Sequence, residues 1–164
     1  MQNITERVCG YLENEKIEYE IVFHNPAFTI EECREIEKLI CGKICKNLFL
    51  TTETHSVFYL LMLSGEKRFV TKEISKKLGT SRLSFASADN MREMLNTSPG
   101  SLSVTSLIFD SEKRVRVAID KDLLEEEYFC CHPSCNTATL KIKTQDLTER
   151  FLPSVGADPV IIDV

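Results

Sequence analysis

Ile4, Val8, Tyr11 and Leu12 recur at helical spacing in an otherwise polar segment, and YEIVF (19 to 23) then alternates and runs apolar. The pattern predicts a first helix leading into a first strand. His24-Asn25-Pro26 breaks that strand, and Thr29 with Glu32 forms a T-x-x-E capping box opening a helix with Cys33, Ile36, Leu39 and Ile40 on its inner face, ending near Gly42. NLFLTT (47 to 52) and VFYLLML (57 to 63) are apolar runs separated by ETHS. They predict a hairpin with one well-buried strand.

The chain then turns polar. Thr71 to Leu78 reads as a short helix closed by Gly79, RLSFAS (82 to 87) as extended chain, and Ser87 as the cap of a helix carrying Met91, Met94 and Leu95. After the turn at Ser98-Pro99-Gly100, SLSVTSLIF and VRVAID read as two strands joined by DSEKR into a hairpin. DKDLLEEE predicts a short acidic helix, EYFCCH and TATLKIK two strands around Pro133, TQDLTERFLPSVG a C-terminal helix, and PVIIDV a closing strand. Strands outnumber helices without regular βαβ alternation, so the expected class is α+β.

At 164 residues with 43% hydrophobic content, no repeat and no low-complexity linker, the chain suits one substantial core, a single domain over 1–164. The start MQNITERVCG lacks a basic stretch followed by an apolar one, and no segment approaches the ~20 apolar residues of a membrane span. With seven cysteines in such a chain, a cytoplasmic protein with reduced thiols and no membrane partner is expected. A net charge of -5 and a pI near 5.3 exclude a protein that coats nucleic acid, but allow a small contact with an RNA end.

Two cysteine groups offer chemistry. Cys41 with Cys45, and Cys130, Cys131 and Cys135 with His132, supply soft ligands for a tetrahedral zinc, yet a C-x3-C pair ahead of a strand fits structural zinc spacing loosely. Small buried hydrophobes are the simpler reading, and neither metal nor cofactor is expected. A thiol beside His132 would suffice for nucleophilic catalysis, but nothing marks one cysteine over the six others. Lys46, at the threshold of an apolar strand, reads on composition as a snorkelling surface residue.

HNPAFTIEE (24 to 32), KNLFL (46 to 50), SRLSFAS (81 to 87), TSPGS (97 to 101) and HPSCNTATL (132 to 140), in that order, resemble the YbaK/ProX family, the free-standing relatives of the editing domain inserted in bacterial prolyl-tRNA synthetases. EEYFCCHP is similar to a segment of its ProX/PrdX branch. The resemblance implies a mixed, curled, barrel-like sheet flanked by helices. It also implies hydrolysis of the ester joining a wrong amino acid, principally alanine, to the 3′ end of tRNA(Pro), with prolyl-tRNA synthetase as a further partner. Lys46 matches the residue on which activity depends in that family, with Asn47 beside it. Gly100 and Ser101 match its glycine loop, where backbone amides approach the substrate carbonyl. His132, Asn136 and Thr137 fall in its second signature and would line the same cleft; Phe28 resembles a wall of the aminoacyl pocket. Arg82, beside a strand, reads either as a contact to a phosphate of the CCA end or as a solvated or salt-bridged surface arginine. The chemistry is coherent: an aminoacyl ester is already activated, so orienting a water and stabilising negative charge suffice. Val104 departs from the family's Gly-x-x-x-Pro loop, leaving amino-acid choice open between alanine and residues such as cysteine or serine. A non-catalytic tRNA-binding or synthetase-binding module also stays open.

Overall fold

A computed structural model describes residues 3–164. Helix α1 (Ile4–Asn14) opens on a capping box in which Asn3 and Glu6 exchange side-chain bonds with each other's backbone, and Val8 and Leu12 face inward. Strand β1 (Tyr19–Phe23) and helix α2 (Ile30–Ile40) follow, α2 with the expected Thr29 and Glu32 box. Strands β2 (Lys46–Thr52) and β3 (Phe58–Leu63) pair antiparallel, Leu50 opposite Tyr59. Helix α3 (Thr71–Lys77), strand β4 (Leu83–Phe85) and helix α4 (Ala88–Leu95), capped by Ser87, complete the first half.

The second half holds β5 (Val115–Asp120), β6 (Tyr128–Cys131), β7 (Ala138–Lys143) and β8 (Val160–Ile162). Two sheets result. One is three-stranded and antiparallel, ordered β1-β7-β6; the other is five-stranded and mixed, ordered β4-β2-β3-β5-β8, with β3, β5 and β8 parallel. They meet at a parallel bridge between Ile44 and Cys130.

Strand alternation splits the core about the five-stranded sheet. Phe49, Leu60, Met62, Val117 and Ile119 face a large core shared with α1, α4, β6, β7 and the C-terminal helical stretch. Leu50, Tyr59, Leu61 and Ala118 face a smaller one closed by Ile74, Leu83 and Ile162. β3 is therefore buried on both faces, which is why it reads as an unbroken apolar run. Each such side chain contributes roughly 1.5–3 kcal/mol of burial.

Three expectations need correction. The sheet is not closed as a barrel: β4 and β8, three residues each, leave the five-stranded sheet with free edges, and in the other sheet β1 is an edge while β6 is bridged only at Cys130. SLSVTSLIF forms no strand. Val104–Phe109 is a 3-10 helix, because Ser103 caps it and buried Thr105 and Ser106 both bond Ser134, a tertiary network that overrides β propensity. β5 accordingly pairs in parallel with β3 instead of closing a hairpin. The acidic segment is likewise 3-10, over Lys121–Glu125. The C-terminal helix is present as an α turn (Thr144–Asp146), a π turn (Leu147–Phe151) and an α turn (Leu152–Ser154), where Pro153 has no N–H to give to the preceding turn. No helix among the described residues is long and apolar enough to cross a membrane.

Candidate active site

The junction between the two sheets gathers much of the predicted chemistry. From the Ile44–Cys130 bridge both chains run in the same direction, Lys46 two residues along one and His132 two residues along the other. Glu37 of α2 holds the approach to β2, its carboxylate accepting from Ile44 N at 2.9 Å. Gly65 packs against the same residue: a Cβ there would lie 2.9 Å from the Ile44 carbonyl oxygen, so only glycine fits.

Above these segments lies a pocket of about 430 Å³ with Lys46 and Phe28 in its lining, together with Ala27, Ile30, Cys33 and Lys43. Phe28 is 82% exposed, so it stands as a wall and not as core. Its backbone is held by Glu32, whose carboxylate accepts from Phe28 N at 2.7 Å and Thr29 N at 2.9 Å. Those two backbone donors keep the Glu32 carboxyl below the usual carboxylate range.

Lys46 is exposed and donates to the Lys67 carbonyl oxygen at 2.8 Å. An ammonium has three N–H groups, so two remain for a ligand. Lys67 is fixed in turn by Asp120 at 2.9 Å and Asp122 at 2.6 Å. Burial opposes the Lys67 charge, but the two carboxylates outweigh it and its pKa is raised. Asn47 points to the other face of β2, where Nδ2 donates to Cys45 Sγ at 3.3 Å and Oδ1 is buried without a partner.

His132 is built into the structure by its backbone and one ring nitrogen. Its carbonyl oxygen accepts from Thr105 Oγ1 at 2.8 Å, and Nδ1 lies 2.9 Å from the Ala138 carbonyl oxygen. A carbonyl only accepts, so Nδ1 carries the proton and the neutral ring keeps a lone pair on Nε2. Burial lowers the pKa of His132, with the bond to Ala138 opposing and His24 adding to the shift. The His24 ring lies 6.3 Å away, between the Asn25 carbonyl and Thr139 Oγ1.

The remaining predicted residues are dispersed, with only Asn136 and Thr137 near His132 in the chain. Thr137 approaches Cys135 Sγ at 3.6 Å, and its carbonyl accepts from His24 N at 3.0 Å; Asn136 is half-buried beside it. Gly100 takes φ +87° in the turn that Ser101 N closes on Ser98 O, and this turn leads into the 103–106 segment bonded to 132–134. Contrary to the expectation of one shared cleft, none of Asn47, Gly100, Ser101, His132, Asn136 and Thr137 lines the Lys46 pocket, whose walls come from residues 27–37, 43–46 and 64–66. Val104 is fully buried in the core. Arg82 lines a separate groove beside α3. Sequence reasoning does not single out Glu37, Gly65 or His24; the HNP break is the signal for His24, whereas the other two act through contacts distant along the chain.

Burial disfavours the thiolate form of the cysteines packed beneath this junction. Burial pushes Cys131 up to about 12 and Cys130 up to about 11, and raises Cys45 well above its ordinary value. Among the described residues no group of three His, Cys, Asp or Glu side chains is placed to hold a metal ion.

Residues 24–149 match the family described as the aminoacyl-tRNA editing domain, and the chain belongs to that family. It is 32% identical over 151 residues to the prolyl-tRNA editing protein ProX of Acetoanaerobium sticklandii, covering 92% of each chain. It is 30% identical over 154 residues to prolyl-tRNA synthetase associated domain-containing protein 1 of Danio rerio, covering 93% of this chain and 83% of the relative. The fold matches the crystal structure of a candidate trans-editing enzyme for prolyl tRNA synthetase with a TM-score of 0.75 at 19% identity, over 99% of this chain and 97% of that one.

Proposed function

We propose that the protein is a trans-acting deacylase of mischarged tRNA(Pro), with Ala-tRNA(Pro) as its principal substrate. The observation that carries this reading is the family match over 24–149, combined with an open pocket that has the Lys46 ammonium in its lining. In the reaction a water adds to the ester carbonyl carbon. The bond from that carbon to the ribose oxygen breaks, the oxygen leaves with one proton of the water as the terminal adenosine hydroxyl, and the amino acid departs as a carboxylate with the other proton released to solvent. Negative charge grows on the carbonyl oxygen during addition, and the two free N–H groups of Lys46 answer it. His132, neutral near pH 7, offers Nε2 as an acceptor to the substrate ammonium group. Phe28, Ala27 and Ile30 receive the side chain.

Alanine follows from the physics of selection: a synthetase pocket shaped for proline rejects a smaller apolar residue poorly, because a missing methylene is worth only about 1–3 kcal/mol. The test is the hydrolysis of Ala-tRNA(Pro), Cys-tRNA(Pro) and Pro-tRNA(Pro) by wild type and Lys46→Ala side by side. Selective loss of alanine that disappears in the variant is expected. Preference for the cysteinyl ester would change the substrate, and hydrolysis of none would move the function to binding.

A further inference from the structure

Residues 67–82 contain six Lys and Arg against one Glu, in a chain where acidic residues outnumber basic ones 25 to 20. Lys67 is committed to Asp120 and Asp122. Arg68, Lys72, Lys76, Lys77 and Arg82 are all exposed and enter no salt bridge among the described residues. An acidic protein thus keeps a local run of cations outside any ion pair, although Lys77 lies near enough to Asp163 to add to the lowering of that carboxyl, which comes first from its bond to Lys121.

The fold turns that run into a surface. Lys72 and Lys76 stand one turn apart on α3, so their side chains rise from one face, and with Arg82 they line a groove of about 640 Å³. Ser75 braces it. The Ser75 hydroxyl donates to the Thr71 carbonyl at 2.7 Å and accepts from Leu83 N at 3.0 Å, tying α3 to β4 and holding Arg82 near the lysines. Next to β4, the rings of Phe69 and Phe85 lie 5.3 Å apart, and Phe85 is 61% exposed. The surface is also continuous with Lys46. Lys46 shares its strand face with Leu48 and Leu50, which pack with Ile74 of α3, and its Nζ bonds the Lys67 carbonyl just upstream of that helix.

We infer that the α3–β4 face is the landing site for the phosphate backbone of the substrate RNA, with Lys72, Lys76 and Arg82 on phosphates and Phe85 against an unpaired base. The identity of the RNA rests on the deacylase reading; the chemistry of the surface does not. Protein surfaces intersperse carboxylates with cations, whereas a nucleic-acid backbone is an uninterrupted row of anions, which a groove lined by Lys72, Lys76 and Arg82 with no carboxylate in its lining matches. Exposed aromatic rings beside such a row are the usual platform for single-stranded bases, and an aminoacyl-tRNA ends in single-stranded nucleotides.

The test measures binding of uncharged tRNA(Pro) transcript across a salt series, with KM and kcat for deacylation of the charged form. Lys72→Glu/Lys76→Glu is expected to weaken binding at least about tenfold and to reduce the logarithmic salt slope by about two, roughly one for each phosphate left without its lysine. KM should rise in step while kcat stays within about twofold. Phe85→Ala should weaken binding by about 5–100-fold with the salt slope unchanged, because stacking carries no charge. Lys16→Glu/Lys143→Glu makes the same net-charge change at two exposed positions elsewhere, and should alter binding by less than about threefold. The inference is overturned if the α3 and Phe85 variants, shown folded by thermal melting, bind tRNA as wild type does, or if the distant pair weakens binding equally. It is also overturned if tRNA affinity is unchanged while a complex with prolyl-tRNA synthetase is lost, which would give the face to a protein partner. Binding through this face without hydrolysis of any charged tRNA would instead sink the deacylase reading and leave the landing site standing.

Discussion

Around His132 the polar groups answer one another inside the protein: Thr105 and Ser106 bond Ser134, Thr105 also bonds the His132 carbonyl, and Nδ1 is spent on Ala138. Around Lys46 they face outward, with Phe28 almost fully exposed and two ammonium protons uncommitted. The two regions adjoin at the Ile44–Cys130 bridge, yet one is a network closed everywhere but at His132 Nε2 and the other is open. The contrast teaches a division of labour. A closed network holds geometry at no further cost when substrate arrives, whereas an open one keeps most of its interactions for a ligand.

The sharpest way to break this division is to remove the open half's charge. Lys46→Ala should lower kcat by about 10²–10³-fold, the range for deleting one donor to a developing oxyanion. Because Lys46 is exposed, its melting temperature should barely move. If unfolding accompanied the loss, the lysine would be structural and the contrast would collapse.

Phe28→Ala comes next. As an 82% exposed ring it should change stability by less than about 0.5 kcal/mol, while KM for Ala-tRNA(Pro) rises about tenfold through loss of one apolar wall. An unchanged KM would take Phe28 out of the pocket's function.

Thr29→Ala acts one step further back. It deletes the N-cap of α2, so urea unfolding should show a loss of about 1 kcal/mol. KM should rise less than in Phe28→Ala, since Glu32 still bonds Phe28 N. A larger rise in KM than at Phe28 would mean that the helix start, not the ring, shapes the pocket.

This same stretch shows what is legible in the sequence. The T-x-x-E box at Thr29 and the cap at Ser87 rest on contacts within four residues, and both are present. The 101–109 run has the composition of a strand, but its 3-10 turn is decided by Ser134 and the His132 carbonyl, about thirty positions away. The parallel pairing of β3 with β5 and β8 is non-local in the same way, and no periodicity encodes it. Within the site, Lys46 is indistinguishable by composition from any surface lysine; only the family resemblance singles it out. Glu37 and Gly65 carry no local signal, since their importance lies in the Ile44 backbone that both meet.

The smallest predicted effect probes the closed half through pH. Burial holds the His132 pKa below its value in an unfolded chain, about 6.5. As pH falls through that value the unfolded state takes up a proton that the native ring still refuses, so the unfolded state binds more protons and native stability declines. The contribution is fully present above pH ~6.5, is lost progressively down to the lowered native pKa, and stays constant below it. His132→Gln keeps a donor for the Ala138 carbonyl but has no proton to gain, so it should flatten the fall in melting temperature between about pH 7 and pH 5 relative to wild type. A wild-type profile as flat as the variant's would mean that the ring accepts its proton freely, and the network around His132 would then be as open as the one around Lys46.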